Sequence, residues 1–91
     1  MNAGVQIVVE GMVQGVGFRY FVLGEARQLN LKGFVRNLPN SNVEIYSEGD
    51  RGLLEELIKS VKVGPRLSRV SNLQIEWKEY SGKYKSFDVT Y

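Results

Sequence analysis

The strongest constraint on how this chain can fold is a change of hydrophobic period across two glycines near its start. Before Gln14-Gly15-Val16-Gly17, Val5, Ile7 and Val9 alternate with Gln6 and, less cleanly, Val8, which predicts a strand over about residues 5–13. After it, Phe18, Val22, Ala26 and Leu29 recur at steps of four, four and three, the apolar stripe of a helix. Gly11, inside the strand pattern, marks a bulge or a close backbone approach. Asn30 stands where the helix must stop, and Asn tolerates the left-handed conformation that such stops often use.

The remaining elements follow from the same two periods. Gly33-Phe34-Val35-Arg36-Asn37 reads as a second strand and Leu38-Pro39-Asn40-Ser41-Asn42 as turn chemistry. Val43, Ile45 and Ser47 then alternate with Glu44, Tyr46 and Glu48 in a third strand, which makes a hairpin. Asp50 is placed to cap a second helix, whose stripe is Leu54, Leu57, Ile58 and Val61 and whose end is Gly64-Pro65. Leu73, Ile75 and Trp77 alternate again, Ser81-Gly82 turns the chain, and Phe87, Val89 and Tyr91 form a last strand. The order β-α-β-β-α-β plus one further strand fits an α+β, ferredoxin-like sandwich, with two helices on one face of an antiparallel sheet and a C-terminal fifth strand.

A chain of 91 residues suits one domain, expected to span 1–91, because two halves would each be too small for a sufficient core. No apolar run approaches the roughly 20 residues that span a bilayer. Met1-Asn2-Ala3-Gly4 shows no basic region followed by an apolar core, so a cytoplasmic protein is expected. Cys and His are both absent. That removes thiolate nucleophiles, disulfides, the commonest general base and the commonest transition-metal ligand. Chemistry must then come from Arg, Lys, carboxylates, hydroxyls, amides or the backbone. The net charge of +2, with Lys and Arg alternating with Glu and Asp, supports attraction of small anions and argues against a nucleic-acid surface.

The junction Val13-Gln14-Gly15-Val16-Gly17-Phe18-Arg19 is the candidate site. Consecutive backbone N–H groups between a strand and a helix can converge as an anion nest, and the helix N-terminus adds about half a positive charge. Gly15 and Gly17 permit the required backbone angles, and Arg19 supplies a planar fork for two phosphate oxygens. The Walker loop is excluded because no Lys-Ser or Lys-Thr follows these glycines. The dinucleotide fingerprint fails because Tyr20 occupies its third glycine. A right-handed crossover makes the first two strands parallel with one strand between them. Asn37 would then lie roughly 10 Å from the loop along one sheet edge, where its amide could hold a water beside a bound phosphate.

These residues carry a resemblance. Gly11-Met12-Val13-Gln14-Gly15-Val16-Gly17-Phe18-Arg19 resembles the phosphate-loop signature of acylphosphatases, G-x-V-Q-G-V-G-F-R. Gly33-Phe34-Val35-Arg36-Asn37 with Val43-Glu44 resembles that family's second signature, and Gly64-Pro65 with Val70 a looser third. The resemblance implies hydrolysis of acyl phosphates to a carboxylate and inorganic phosphate. In it, the backbone of Gln14, Gly15, Val16, Gly17, Phe18 and Arg19 cradles the phosphate, Arg19 stabilises the phosphoryl group and Asn37 orients the attacking water. It also implies no metal, no cofactor and a monomer, with a small-molecule substrate and inorganic phosphate or another small anion as product or inhibitor. A carboxylate leaving group departs without protonation, which accounts for the missing histidine. Asn40-Ser41 stands where the family has Asp-Gly and Asn30 where it has Gly, which leaves the hairpin turn type open.

Other readings bear on particular residues. Arg36 reads as a solvated strand residue, and Tyr20 or Phe21 could line the mouth of the site, although packing is the role expected of them first. Trp77, Tyr80 and Tyr84 are expected to pack or form a rim rather than a base-stacking platform. A noncatalytic anion- or partner-binding domain of the same fold is the alternative function, and the joint presence of Arg19 and Asn37 argues against it. An RNA-binding module on a similar plan would need exposed aromatics beside a basic surface, and Tyr46 between Glu44 and Glu48 does not supply it.

Overall fold

The change of period becomes a strand-to-helix junction, β1 (Asn2–Met12) to α1 (Phe18–Gln28). The computed structural model describes residues 1–91. After α1 come β2 (Lys32–Asn37), β3 (Val43–Asp50), α2 (Arg51–Val63), β4 (Arg69–Lys78) and β5 (Phe87–Thr90). β1 begins at Asn2, earlier than its apolar pattern, because Asn2 to Gly4 continue the ladder against Glu48 to Asp50. No helix is long and apolar enough to cross a membrane.

The sheet order is β4-β1-β3-β2-β5. β1 pairs antiparallel with β3 and β4, and β2 antiparallel with β3, so β1 and β2 run the same way with β3 between them. The expectation of an antiparallel sheet holds for these strands, but β5 pairs parallel with β2, which makes the sheet mixed. The reason is geometric. β4 and β5 occupy opposite edges, so residues 79–86 must cross the whole sheet before β5 can enter beside β2.

That crossing uses the face without helices. Val5, Ile7 and Val9 of β1, with Val43 and Ile45 of β3, are buried against Phe18, Val22 and Ala26 of α1 and Leu54, Leu57, Ile58 and Val61 of α2. Burying each large apolar side chain is worth about 1.5–3 kcal/mol. On the opposite face, Tyr84 of the crossing segment packs on Tyr46 and Phe34, with ring centroids 5.3 and 6.2 Å away. On the helix face, Trp77, paired with Val5 across the ladder, lies under Arg51 of α2, whose guanidinium is 3.9 Å from the ring centroid. Trp77 and Tyr84 are thus packing residues.

The helix ends follow the sequence closely. Asn30 takes φ 57°, and Asn30 N and Leu31 N donate to the carbonyls of Arg27 and Ala26, a Schellman stop built with Asn. Asp50 Oδ2 accepts from Leu53 N at 3.2 Å and caps α2. In the β2–β3 turn, Ser41 holds the left-handed position at φ 77° while Ser41 N donates to Leu38 O at 3.2 Å. Asn40 Oδ1 accepts from Asn42 N at 3.1 Å, so local hydrogen bonding does what Asp-Gly chemistry would do.

Candidate active site

The site is built where β1 leaves the sheet. A register shift between Glu10 and Gly11 bends the strand. Only glycine fits at position 11, because a Cβ there would lie 2.1 Å from Arg69 O. The chain then passes through Gly15 at φ 74° and Gly17 at φ 76°, and Gly17 is the N-cap of α1. Left-handed residues set among ordinary ones turn successive N–H groups toward a common point, the geometry of an anion nest. Phe21 N donates to Gly17 O at 3.0 Å as the first helical bond. The first turn of α1 carries no acidic residue to compete for an anion. Phe18, 1% exposed, anchors the start of the helix in the core, so the loop ends on a fixed point.

Val13, Gly15, Gly17, Phe18, Arg19, Tyr20 and Asn37 line one cleft of about 100 Å³. A larger groove of about 370 Å³ lies between Lys62 and β4, but its other lining residues, Val70, Ser71, Asn72, Leu73 and Ile75, add no second cationic side chain and no left-handed glycine. Chemistry rather than size singles out the glycine cleft. No three carboxylates come together anywhere in the chain as metal ligands would.

Asn37 is the last residue of β2, and it reaches the cleft from across β3. Its Oδ1 is enclosed and has no protein donor, the one buried side-chain polar atom left unpartnered in the molecule. Leaving such an atom unpaired costs about 1–3 kcal/mol, a cost usually tolerated where a ligand or water completes the bond. Arg19, partly buried, makes no ion pair within the chain, and its guanidinium carbon lies 5.0 Å from the centroid of the Tyr91 ring. Tyr20 Oη lies 3.4 Å from Tyr91 Oη. That neighbouring phenol holds the Tyr20 hydroxyl above its ordinary pKa, with the charge of Arg19 pulling weakly the other way.

The residues singled out from sequence divide here. Gly15, Gly17, Phe18, Arg19 and Asn37 meet in the cleft, and Tyr20 lines its mouth. Val16 packs against the core, and the Gln14 side chain turns to the β2–β3 turn, donating to Leu38 O at 2.9 Å and Asn42 O at 2.8 Å. Arg36 pairs with Glu44 at 2.6 Å and stays outside the site. The Tyr91 ring over Arg19 and the Gln14 side-chain bonds escape a sequence reading, since both join positions far apart in the chain.

A model of the acylphosphatase family matches residues 5–89. The acylphosphatase of Archaeoglobus fulgidus is 44% identical over 86 residues, which is 94% of this chain and 96% of that protein. The acylphosphatase of Caldanaerobacter subterraneus subsp. tengcongensis is 42% identical, over 98% of this chain and 99% of its own. The crystal structure of acylphosphatase from Bacillus subtilis superposes with a TM-score of 0.95 at 36% identity, covering 100% of both chains.

Proposed function

This chain belongs to the acylphosphatase family and hydrolyses acyl phosphates, and we propose that Arg19 and Asn37 divide the reaction between binding and attack. The phosphoryl group sits in the nest of N–H groups from Gln14 to Arg19, at the positive end of α1. Arg19 grips two of its oxygens and stabilises the charge that builds on them in the transition state. Asn37 holds a water on the far side of the phosphorus, in line with the acyl oxygen. The water oxygen forms the new bond to phosphorus as the bond to the acyl oxygen breaks, and the electron pair leaves on the carboxylate. A phosphate oxygen takes the water proton, so neither a histidine nor a metal is required.

The single observation that carries this reading is the unpartnered Oδ1 of Asn37 in the same cleft as Arg19 and the two left-handed glycines. An unpaired amide at the border of an anion site suits a water that must donate one hydrogen while its lone pair faces phosphorus. Positioning and charge stabilisation are what phosphoryl transfer chiefly needs from a protein.

The test is Asn37→Ala, assayed with an aryl acyl phosphate. The expected loss in kcat is about 10²-fold or more, the scale of a displaced reacting group. Inhibition by inorganic phosphate should change little, because the loop and Arg19 remain. Wild-type kcat in the folded variant would remove Asn37 from the mechanism. We place the activity in a single folded unit spanning 1–91, acting as a cytoplasmic monomer. Sedimentation and cell fractionation check these two points.

A further inference from the structure

We propose that Gln14 is a positioning residue that sets the separation between the phosphate loop and Asn37; the proposal rests on the role given to Asn37 above. The two halves of the site have no direct sheet contact, because β3 lies between β1 and β2. The ladder between β1 and β3 ends at the Val9–Val43 pair, and from Gly11 onward β1 pairs only with β4. Past Met12 the chain has left the sheet altogether. The loop at 13–17 and the hairpin at 37–43 could therefore move apart without breaking any strand pairing.

Val13 and Val43 share the apolar core, but the hydrogen bonding that joins the two segments comes from one amide group. Gln14 Nε2 donates to Leu38 O at 2.9 Å and to Asn42 O at 2.8 Å, and these are the only hydrogen bonds between residues 13–17 and 37–43. Leu38 directly follows Asn37, and Leu38 N donates to Asn42 O at 2.8 Å, so both acceptors sit at the closed base of the turn. The assignment of the nitrogen is fixed by chemistry, since both partners are carbonyls and only –NH₂ can donate to both. Both hydrogens are used here, which leaves the group no donor for phosphate. Its effect on catalysis must pass through the backbone that carries Asn37.

The same geometry predicts what survives its loss. Val13 and Phe18, each 1% exposed, still pin both ends of the loop, so the nest and Arg19 keep their shape. Only the distance to the attacking water is released. A misplacement of about 1 Å between reacting groups costs on the order of 10²-fold in rate.

The experiment is a double-mutant cycle of Gln14→Met and Asn37→Ala, reading kcat, the inhibition constant of inorganic phosphate and thermal unfolding for each protein. Gln14→Met keeps the length and removes both donors. It should lower kcat by about 10- to 10²-fold while phosphate inhibition stays within about threefold of wild type. In the Asn37→Ala background the same change should cost no more than about twofold, because the residue it positions is already gone. Gln14→Glu adds a pH readout and stands in for Gln14→Met in the cycle if that variant does not fold. The carboxylate repels both carbonyls, and protonation restores one donor, so kcat relative to wild type should rise as pH falls from about 7 to 5. Multiplicative losses in the cycle, or phosphate affinity falling in step with kcat, overturn the role of Gln14 while leaving Asn37 in place. Wild-type kcat in Asn37→Ala overturns the Asn37 assignment and this proposal with it.

Discussion

Replacing Glu48 tests how the bare face of the sheet is closed. Glu48 is 1% exposed on the side away from the helices, where a carboxylate would ordinarily face water. It accepts from Tyr46 Oη at 2.5 Å, Ser81 Oγ at 2.7 Å, Ser81 N at 2.9 Å and Gly82 N at 3.1 Å. The bonds from Ser81 and Gly82 fasten the segment that crosses from β4 to β5. Burial pushes the carboxyl pKa up, but the bonds from Tyr46, Ser81 and Gly82 outweigh it and hold the group below its ordinary value of 4.5. In turn, burial and then the neighbouring Glu48 carboxylate raise the phenol of Tyr46 well above its ordinary value. A hydrogen bond to a charged acceptor is worth about 1.5–3 kcal/mol, but the Ser81 and Gly82 donors at an exposed turn regain water when released. Glu48→Ala should therefore cost about 2–4 kcal/mol rather than the sum. For a domain of this size that lowers Tm by roughly 10–25 °C. Because the folded-state pKa is depressed, the stabilisation is present above the unfolded value and is lost as pH falls through the folded one. Urea unfolding at neutral pH and near pH 3 should show the gap between wild type and variant narrowing in acid. Glu48 pairs in register with Gly4, at the opposite end of β1 from the glycine loop, so kcat per folded molecule should stay at the wild-type level. A loss below about 1 kcal/mol, or one independent of pH, would refute the clasp.

Three further outcomes follow from the same structure. Arg19→Ala should lower kcat by at least about 10²-fold and weaken inhibition by inorganic phosphate, with the thermal transition retained; near-normal phosphate affinity would remove its role. Ser41→Gly should raise Tm by a few degrees. Relief of a left-handed non-glycine residue is worth roughly 1–2 kcal/mol, offset by roughly 0.5–1 of added chain entropy; a lowered Tm in calorimetry would contradict this. Turnover should persist after exhaustive treatment with EDTA, since the chain has no Cys or His and no converging carboxylates; activity lost and then restored by a divalent ion would count against the mechanism.

Most of the architecture was legible because local chemistry decides it. Period two and period near four separate strands from helices, and Asn30, Asp50 and Gly64 mark helix ends through bonds to residues only a few positions away. The glycine loop, Arg19 and Asn37 were readable for a related reason, since connection handedness alone brings the ends of β1 and β2 to one edge. What escaped depends on distant partners. Alternation put Glu48 on a solvent face, and nothing near it in sequence reports that residues 81 and 82 come to cover it. The parallel entry of β5 depends on which edge of the sheet remains free. The side chain of Gln14 reads as one more polar loop residue until Leu38 and Asn42 are placed beside it.

The glycines of the loop signature answer to two different constraints. At Gly11 a side chain is forbidden by the neighbouring strand, since its Cβ would meet Arg69 O at 2.1 Å, so this glycine serves the bulge that aims the chain out of the sheet. At Gly15 and Gly17 an added Cβ would meet no protein atom within 4 Å, and packing gives no reason for glycine there. The reason is conformational, since both sit at positive φ, the conformation that the proposed anion nest requires. Main-chain donors of this kind carry no titratable proton, so their number and direction are fixed by the fold rather than by pH. A phosphate held this way needs only a correctly spaced water for reaction with a leaving carboxylate. The catalytic problem then becomes one of distance, and distance is what the Gln14 bonds and the intervening strand β3 set.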